Sequence, residues 1–359
     1  MKKTNYKPGI LLFITILFVP FILTAQGATK EFHKEYKAGA STRLDISNKY
    51  GDVVINSSDN DQVVIDVKVT VEVPNKEKAE RLLSYIDVRF EEGENVISAK
   101  TIIDDKFSFT GWGGDSRRFK IDYNIKMPVG MALTLSNKYG NTDIDELHGL
   151  LNLDIKYGNL TAGKITRGNT KPLSRLNLAY GKGTIEEAGW LDLTLRYVIK
   201  IDITKSQALL LDSKYSKISL GETSSVVGGS KYDNIKIENI KNLVLENGYT
   251  ETNIRVLSKK LNYKGSYGSF TVEDIPSGFE SIDTETRYMG VRLGIDESAN
   301  YKLEAKVSYG GLKYNEDNFK NQKRVVGNTS NEVEGIIGKE ESPSSTVNVV
   351  SSYGSVKLY

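Results

Sequence analysis

The residues able to do chemistry are few. The 359-residue chain has two histidines, His33 and His148, and no cysteine. Without Cys there is no disulfide, no thiol nucleophile and no thiolate-bound zinc or iron–sulfur cluster. Neither histidine has a partner at metal-ligand spacing, and no HExxH segment occurs. There is no GxSxG elbow and no P-loop. Gly111-Trp112-Gly113-Gly114 and Gly228-Gly229 read as turns and fit no dinucleotide fingerprint. Asp59 and Asp61, Asp104-Asp105 and Glu316-Asp317 lack the internal Gly and closing Glu of a calcium loop. They read as solvated turns. The expectation is a chain with no catalytic residue, no bound metal and no cofactor.

Two groups of residues suit recognition instead. The loop Phe107–Arg118 carries Trp112, Arg117 and Arg118, and Trp and Arg are frequent binding anchors. The alternative is a Trp packed onto the neighbouring structure. The second group is a set of basic residues, each directly before a recurring Tyr: Lys49, Lys138, Lys156, Arg196, Lys214, Lys231 and Arg287. In register they form a stripe able to attract an anionic glycan or lipopolysaccharide. The same stripe could serve solubility and discourage edge pairing.

That Tyr marks an internal repeat. It is usually preceded by Lys or Arg and often followed by Gly, as in NKYGDVVI (48–55), NKYGNTDI (137–144), IKYGNLTA (155–162) and SKYSKISL (213–220). Twelve of the 20 tyrosines are markers: 50, 139, 157, 180, 197, 215, 232, 249, 267, 288, 309 and 353. Six of the intervals are 17 or 18 residues. Six residues before the marker, eleven of twelve positions are apolar, including Leu44, Leu133, Leu151, Leu209 and Leu243. Five residues after it, eleven of twelve are apolar, including Ile55, Ile144, Leu220 and Ile237. Apolar residues two apart predict a half-buried strand on each side of the marker. The alternation slips by one residue across Tyr-Gly, so the chain must turn a corner to keep both apolar sets inside. Gly after Tyr is expected to supply the bend. The copy at Tyr197 is out of phase, with Ile199, Ile201 and Ile203 after it, which predicts a bulge or altered corner.

About 18 residues of strand, corner, strand and return loop suit one coil of a parallel β-helix, or β-solenoid. A dozen coils would form a rod on the order of 50 Å long. Tyr is in phase with the apolar residues two and three positions earlier in the alternation, at −4 and −6. The phase therefore predicts an inward ring, stacked on its counterparts in adjacent coils. The alternative is an exposed ladder offering aromatic faces to sugars.

The first marker interval, 89 residues, exceeds one coil. Ile65 to Val73 alternate as a strand. Asn75 is placed to cap a helix bearing Ala79, Leu82, Leu83 and Ile86. Strands are expected at about 87–91, 95–103 and 118–127. This small α+β insertion at about 62–130 is expected to cap the first coil, whose apolar surface and strand edge need cover. Asn315 to Ser345 reads as a surface loop or a degenerate coil.

Lys2, Lys3 and Lys7, the apolar run from Ile10 to Ala25 and the small residues Ala25, Gly27 and Ala28 form a signal-peptide layout. The expected division is a leader at 1–25 and a single domain at 26–359. The whole chain has 48 Lys+Arg, 46 Asp+Glu and a net charge of +2. Such balance argues against nucleic-acid binding. No later segment is apolar enough to span a bilayer as a helix. The expected location is extracytoplasmic: periplasm, outer surface or secreted.

The repeated Lys-Tyr-Gly corners, paired apolar strands, leader and strand–helix–strand insertion resemble the putative-adhesin β-solenoid family of bacterial envelope proteins. The resemblance covers roughly residues 40–359 and implies a right-handed coil. That family has no established catalytic motif to carry over. The resulting expectation is an all-β, exported, non-enzymatic binding or structural protein of the cell envelope. Its partner would be a glycan or another envelope protein. The alternatives are a β-helix polysaccharide lyase or hydrolase, and a periplasmic regulatory or stress-linked accessory protein.

Overall fold

The computed structural model describes residues 27–39, 41–107 and 119–359. The leader expected at 1–25 and the residues Trp112, Arg117 and Arg118 lie outside the described residues. Among the described residues the fold is all-β with one short helix, and the 24 strands belong to one long, open sheet. Among the described residues no helix is long and apolar enough to cross a membrane.

The first segment contains β1 (Gly27–Lys37), β2 (Arg43–Lys49), β3 (Val53–Ser58), β4 (Gln62–Glu72), α1 (Lys76–Leu83), β5 (Ile86–Glu92), β6 (Val96–Ile103) and β7 (Phe119–Pro128). The helix starts where the sequence places it. The Asn75 side chain accepts from the Lys78 N–H at 2.8 Å, and Ala79 and Leu82 are buried. β4 pairs antiparallel with both β1 and β7. β5 and β6 form an antiparallel pair. β6 then joins β2 in parallel, and β7 joins β3 in parallel.

The repeat follows as β8 (Ala132–Lys138), β9 (Thr142–Leu147), β10 (Leu151–Lys156), β11 (Leu160–Ile165) and β12 (Ser174–Ala179). Longer strands come next: β13 (Lys182–Arg196), β14 (Lys200–Lys214), β15 (Lys217–Lys231), β16 (Asn234–Gly248), β17 (Glu251–Ile275) and β18 (Ser281–Ile295). Each of β13 to β17 pairs in parallel with the next, so like residues lie over like. Leu209 faces Val226, Val226 faces Leu243, and Leu243 faces Leu261. The inward rows are apolar and nearly solvent-free. A fully buried Leu or Ile side chain contributes about 1.5–3 kcal/mol, so these rows supply the main stabilisation. Ser174 occupies the one non-apolar place six residues before a marker. It is buried, and its hydroxyl accepts from the Leu151 N–H at 3.2 Å.

The corner at Tyr197 is altered as its phase predicts. Leu178 faces Leu195, an offset of 17, whereas Gly183 faces Ile201, an offset of 18. One extra residue is accommodated between them, and Ile199 is left 63% exposed.

The C-terminal segment holds β19 (Tyr301–Ser308), β20 (Leu312–Lys313), β21 (Phe319–Val326), β22 (Ser330–Ile337), β23 (Ser345–Ser352) and β24 (Val356–Leu358). Its order departs from the chain. β23 lies between β18 and β19, parallel to both. β22 pairs antiparallel with the other edge of β19, and β21 pairs with β22. The polar stretch after Asn315 is thus largely an antiparallel hairpin. Its alternation is too charged to read as a strand by hydrophobic pattern.

Candidate binding surface

All twelve marker tyrosines adopt a left-handed backbone, with φ between 53° and 67°. In β8 the residues before the marker alternate normally, with Leu133, Leu135 and Asn137 buried. The next inward place would be Tyr139. The positive φ throws its side chain outward instead, and it is 47% exposed. Eleven of the markers are exposed in this way, from Tyr139 to Tyr353. The inward ring predicted from the phase is therefore wrong. Strand periodicity holds only while φ stays in the β region, and the marker residue leaves it.

The role assigned to Gly changes as well. At Gly140 and Gly158 the backbone φ is not positive. A Cβ on Gly158 would sit 1.8 Å from the Gly140 carbonyl oxygen, and one on Gly140 would sit 1.8 Å from that of Gly51. Gly is present because adjacent corners approach closely, and Tyr itself makes the bend.

Outward, the rings form one continuous stack. Tyr50, Tyr139, Tyr157, Tyr180, Tyr197, Tyr215, Tyr232, Tyr249, Tyr267 and Tyr288 follow chain order, with centroids 4.7–5.1 Å apart. Tyr353 comes next and Tyr309 ends the stack, because β23 is inserted before β19. Interplanar angles range from 3° to 15°. Inside the stack each ring face is covered by its neighbours. What remains for solvent is ring edge and phenol hydroxyl, repeated at the strand spacing.

The basic residues before the markers also fall in register. Lys49 faces Lys138, Lys138 faces Lys156, Arg196 faces Lys214, and Lys214 faces Lys231. Ala179 interrupts the row between Lys156 and Arg196. The four lysines Lys138, Lys156, Lys214 and Lys231 thus lie along one side of the tyrosines. Lys156 pairs with Asp154 at 3.5 Å, and Arg196 pairs with Asp212 at 2.5 Å. Lys49 and Arg287 lie over the rings of Tyr50 and Tyr288, at 4.9 and 5.1 Å. At exposed sites a cation over a ring contributes about 0.5–1 kcal/mol.

After Tyr215, Tyr232 and Tyr249, where Ser216, Asp233 and Thr250 replace Gly, a buried polar set fills the corner. The Ser216 N–H donates to Asp233 Oδ1 at 2.6 Å, and the Ser230 hydroxyl donates to Oδ2 at 2.5 Å. The Asp233 N–H donates to Thr250 Oγ1 at 3.3 Å. Burial pushes the Asp233 carboxyl above its ordinary range, and the Ser230 and Ser216 hydrogen bonds only partly offset this. Between its unfolded and folded pKa values the folded chain holds more protons. Stability from this group is present at lower pH and falls as pH rises through that window. Asp233→Asn should therefore melt at or above the native chain at neutral pH. The native chain should gain on the variant as pH falls towards about 4. Melting of both across that range checks the sign.

The two histidines are hydrogen-bonded to surface carboxylates. His33 bonds Asp66 at 2.6 Å and Glu35 at 3.1 Å, and these hydrogen bonds raise its pKa. His148 bonds Glu146 at 2.7 Å. Among the described residues no three His, Cys, Asp or Glu gather as a metal site.

No family model matches the chain, and no curated protein matches it. Several solved structures align with 92% of it. One is a putative cell adhesion protein from Clostridium sporogenes, 12% identical over 99% of that chain, with a TM-score of 0.20. Another is a putative adhesin from Parabacteroides merdae, 11% identical over 96% of that chain, with a TM-score of 0.34. A third is a putative lipid binding protein from Parabacteroides distasonis, 10% identical over 96% of that chain, with a TM-score of 0.24. Two of these three neighbours are named for adhesion, as is the family that the sequence resembles. Scores this low extend no likeness to function.

Proposed function

We propose that the chain is an exported, non-enzymatic β-solenoid of the bacterial cell envelope, acting as an adhesin-like binding or structural protein. Its mature part, 26–359, is a single right-handed solenoid of about 18 residues per coil. The insertion at about 62–130 caps one end. The parallel offsets of 17 and 18 residues support the coil. The pairing of β6 and β7 with the outer edges of β2 and β3 supports the cap. The working surface is the tyrosine ladder with its flanking basic row, and the partner is a glycan or another envelope protein.

One observation carries this reading: a run of stacked, half-exposed tyrosines extends the length of the array. Stacking alone would not require phenols, because Phe stacks as well. The repeated hydroxyl is a hydrogen-bonding comb suited to a hydroxyl-rich polymer. The test is the triple variant Tyr215→Phe, Tyr232→Phe and Tyr249→Phe, which keeps every ring. Its melting should match the native chain. Binding to an array of immobilised envelope glycans should weaken roughly tenfold or more, from three lost hydrogen bonds. Undiminished binding would contradict a working role for the ladder.

A further inference from the structure

Over its central coils the tyrosine ladder has cations on both sides. On one side lie Arg196, Lys214 and Lys231. On the other, two residues after their markers, lie Lys182 and Lys217, both exposed. Lys200 lies beside them, in register with Lys182, and pairs with Asp202 at 2.7 Å. Arg196 is likewise neutralised by Asp212. Lys182, Lys214, Lys217 and Lys231 have no ion pair among the described residues. The zone is bounded. Beyond Lys231 the row continues as Gly248 and Ser266, and beyond Lys217 the other side continues as Asn234 and Glu251. Asp233, at the corner after Tyr232, is buried and hydrogen-bonded within that corner.

We infer that Tyr180 to Tyr232 form the docking track for a linear, carboxylate-bearing polysaccharide laid along the stacking direction. This rests on the surface proposed above and names its ligand class. Three observations select that class. The free charges are lysines, compact point charges that suit scattered single carboxylates better than the bidentate fork of Arg does. They repeat along the stack, so a polymer with one charge per unit can meet several at once. An extended pyranose chain advances by roughly the strand spacing per residue. Finally, the ring faces are already covered by one another, with centroids 4.9 Å apart on both sides of Tyr215. Single-stranded nucleic acid is held by bases stacking on open aromatic faces, and this ladder has none to offer along the track. Hydroxyl tips between two rows of ammonium groups fit a hydroxyl- and carboxylate-rich chain.

The test uses the exported chain and size-graded polygalacturonate oligomers, with dextran and single-stranded polythymidylate for comparison. Affinity for polygalacturonate should rise with oligomer length until the track is filled, and fall as ionic strength increases. Dextran should bind at least about tenfold more weakly. Lys214→Gln, Lys217→Gln and Lys231→Gln together should leave melting unchanged and weaken polygalacturonate at least about tenfold. The same changes at Lys34, Lys37 and Lys76, on β1 and α1, should leave affinity unchanged. Equal affinity for dextran, indifference to the Gln triple, or tighter binding of polythymidylate would each overturn the inference. Glycan binding that the Phe triple abolishes and the Gln triple spares would overturn the polyanion track while leaving the proposed surface standing. Glycan binding insensitive to both triples would sink both.

Discussion

Tyr215→Val should lower the stability of the array by about 3 kcal/mol, the largest effect expected from a single outward side chain. Two losses add. Tyr215 stacks on Tyr197 at an interplanar angle of 5° and on Tyr232 at 3°, and each such contact contributes about 0.5–1.5 kcal/mol beyond its buried area. The backbone there has φ of 56°, where a β-branched residue is a steric outlier. Tyr215→Phe keeps both contacts and the same backbone demand, so it should be near neutral. Guanidinium unfolding followed by circular dichroism checks the pair. Stacked repeats can unfold in parts, so the slope as well as the midpoint must be compared.

Gly158→Ala should cost about 3 kcal/mol or more, although it adds one methyl group. The added Cβ would meet the Gly140 carbonyl oxygen at 1.8 Å. The obstacle is backbone in an adjacent corner, so no rotamer change relieves it. The corners must separate, which strains bonds such as that from the Tyr139 N–H to the Lys156 carbonyl, 3.0 Å. Gly290→Ala is the informative comparison. It lies two residues after the marker Tyr288, and a Cβ there meets nothing within 4 Å. It should stay within roughly 0.5 kcal/mol of the native chain. Thermal melting of the two variants should separate them clearly. Equal losses would contradict the close-approach explanation of the Gly after Tyr.

The repeat was legible because two kinds of signal coincide in it. Leu44, Leu133 and Leu151 lie at one fixed distance from a marker, and parallel strands paired in register place like over like. The same register brings Lys138, Lys156, Lys214 and Lys231 into rows. The helix at Lys76–Leu83 was legible through its Asn75 cap. The direction of the tyrosines was not. Period-two reasoning assumes continuous β dihedrals, and one αL residue inverts its answer while leaving the apolar pattern intact. Asn137, buried at the inward place just before Tyr139, is the signal that the inward row was already ending in polar residues. The Asp233 corner was hidden because Ser216, at the preceding marker, and Ser230 look like surface residues in the sequence. The insertion of β23 between β18 and β19 was hidden for another reason. Hydrophobic pattern specifies which face a strand buries, and carries no order of stacking between equivalent repeats.

Every marker Tyr turns the chain through a left-handed residue, and eleven of the twelve rings face solvent as a result. The most direct measurement is the order of unfolding free energies for Tyr215→Gly and Tyr215→Ala. Both lose the ring, so their difference isolates the backbone. At a left-handed position Gly should be the more stable by about 1 kcal/mol. In an ordinary inward strand position Ala would be the more stable by about 0.5–1 kcal/mol, and that order would contradict a left-handed, outward-facing marker.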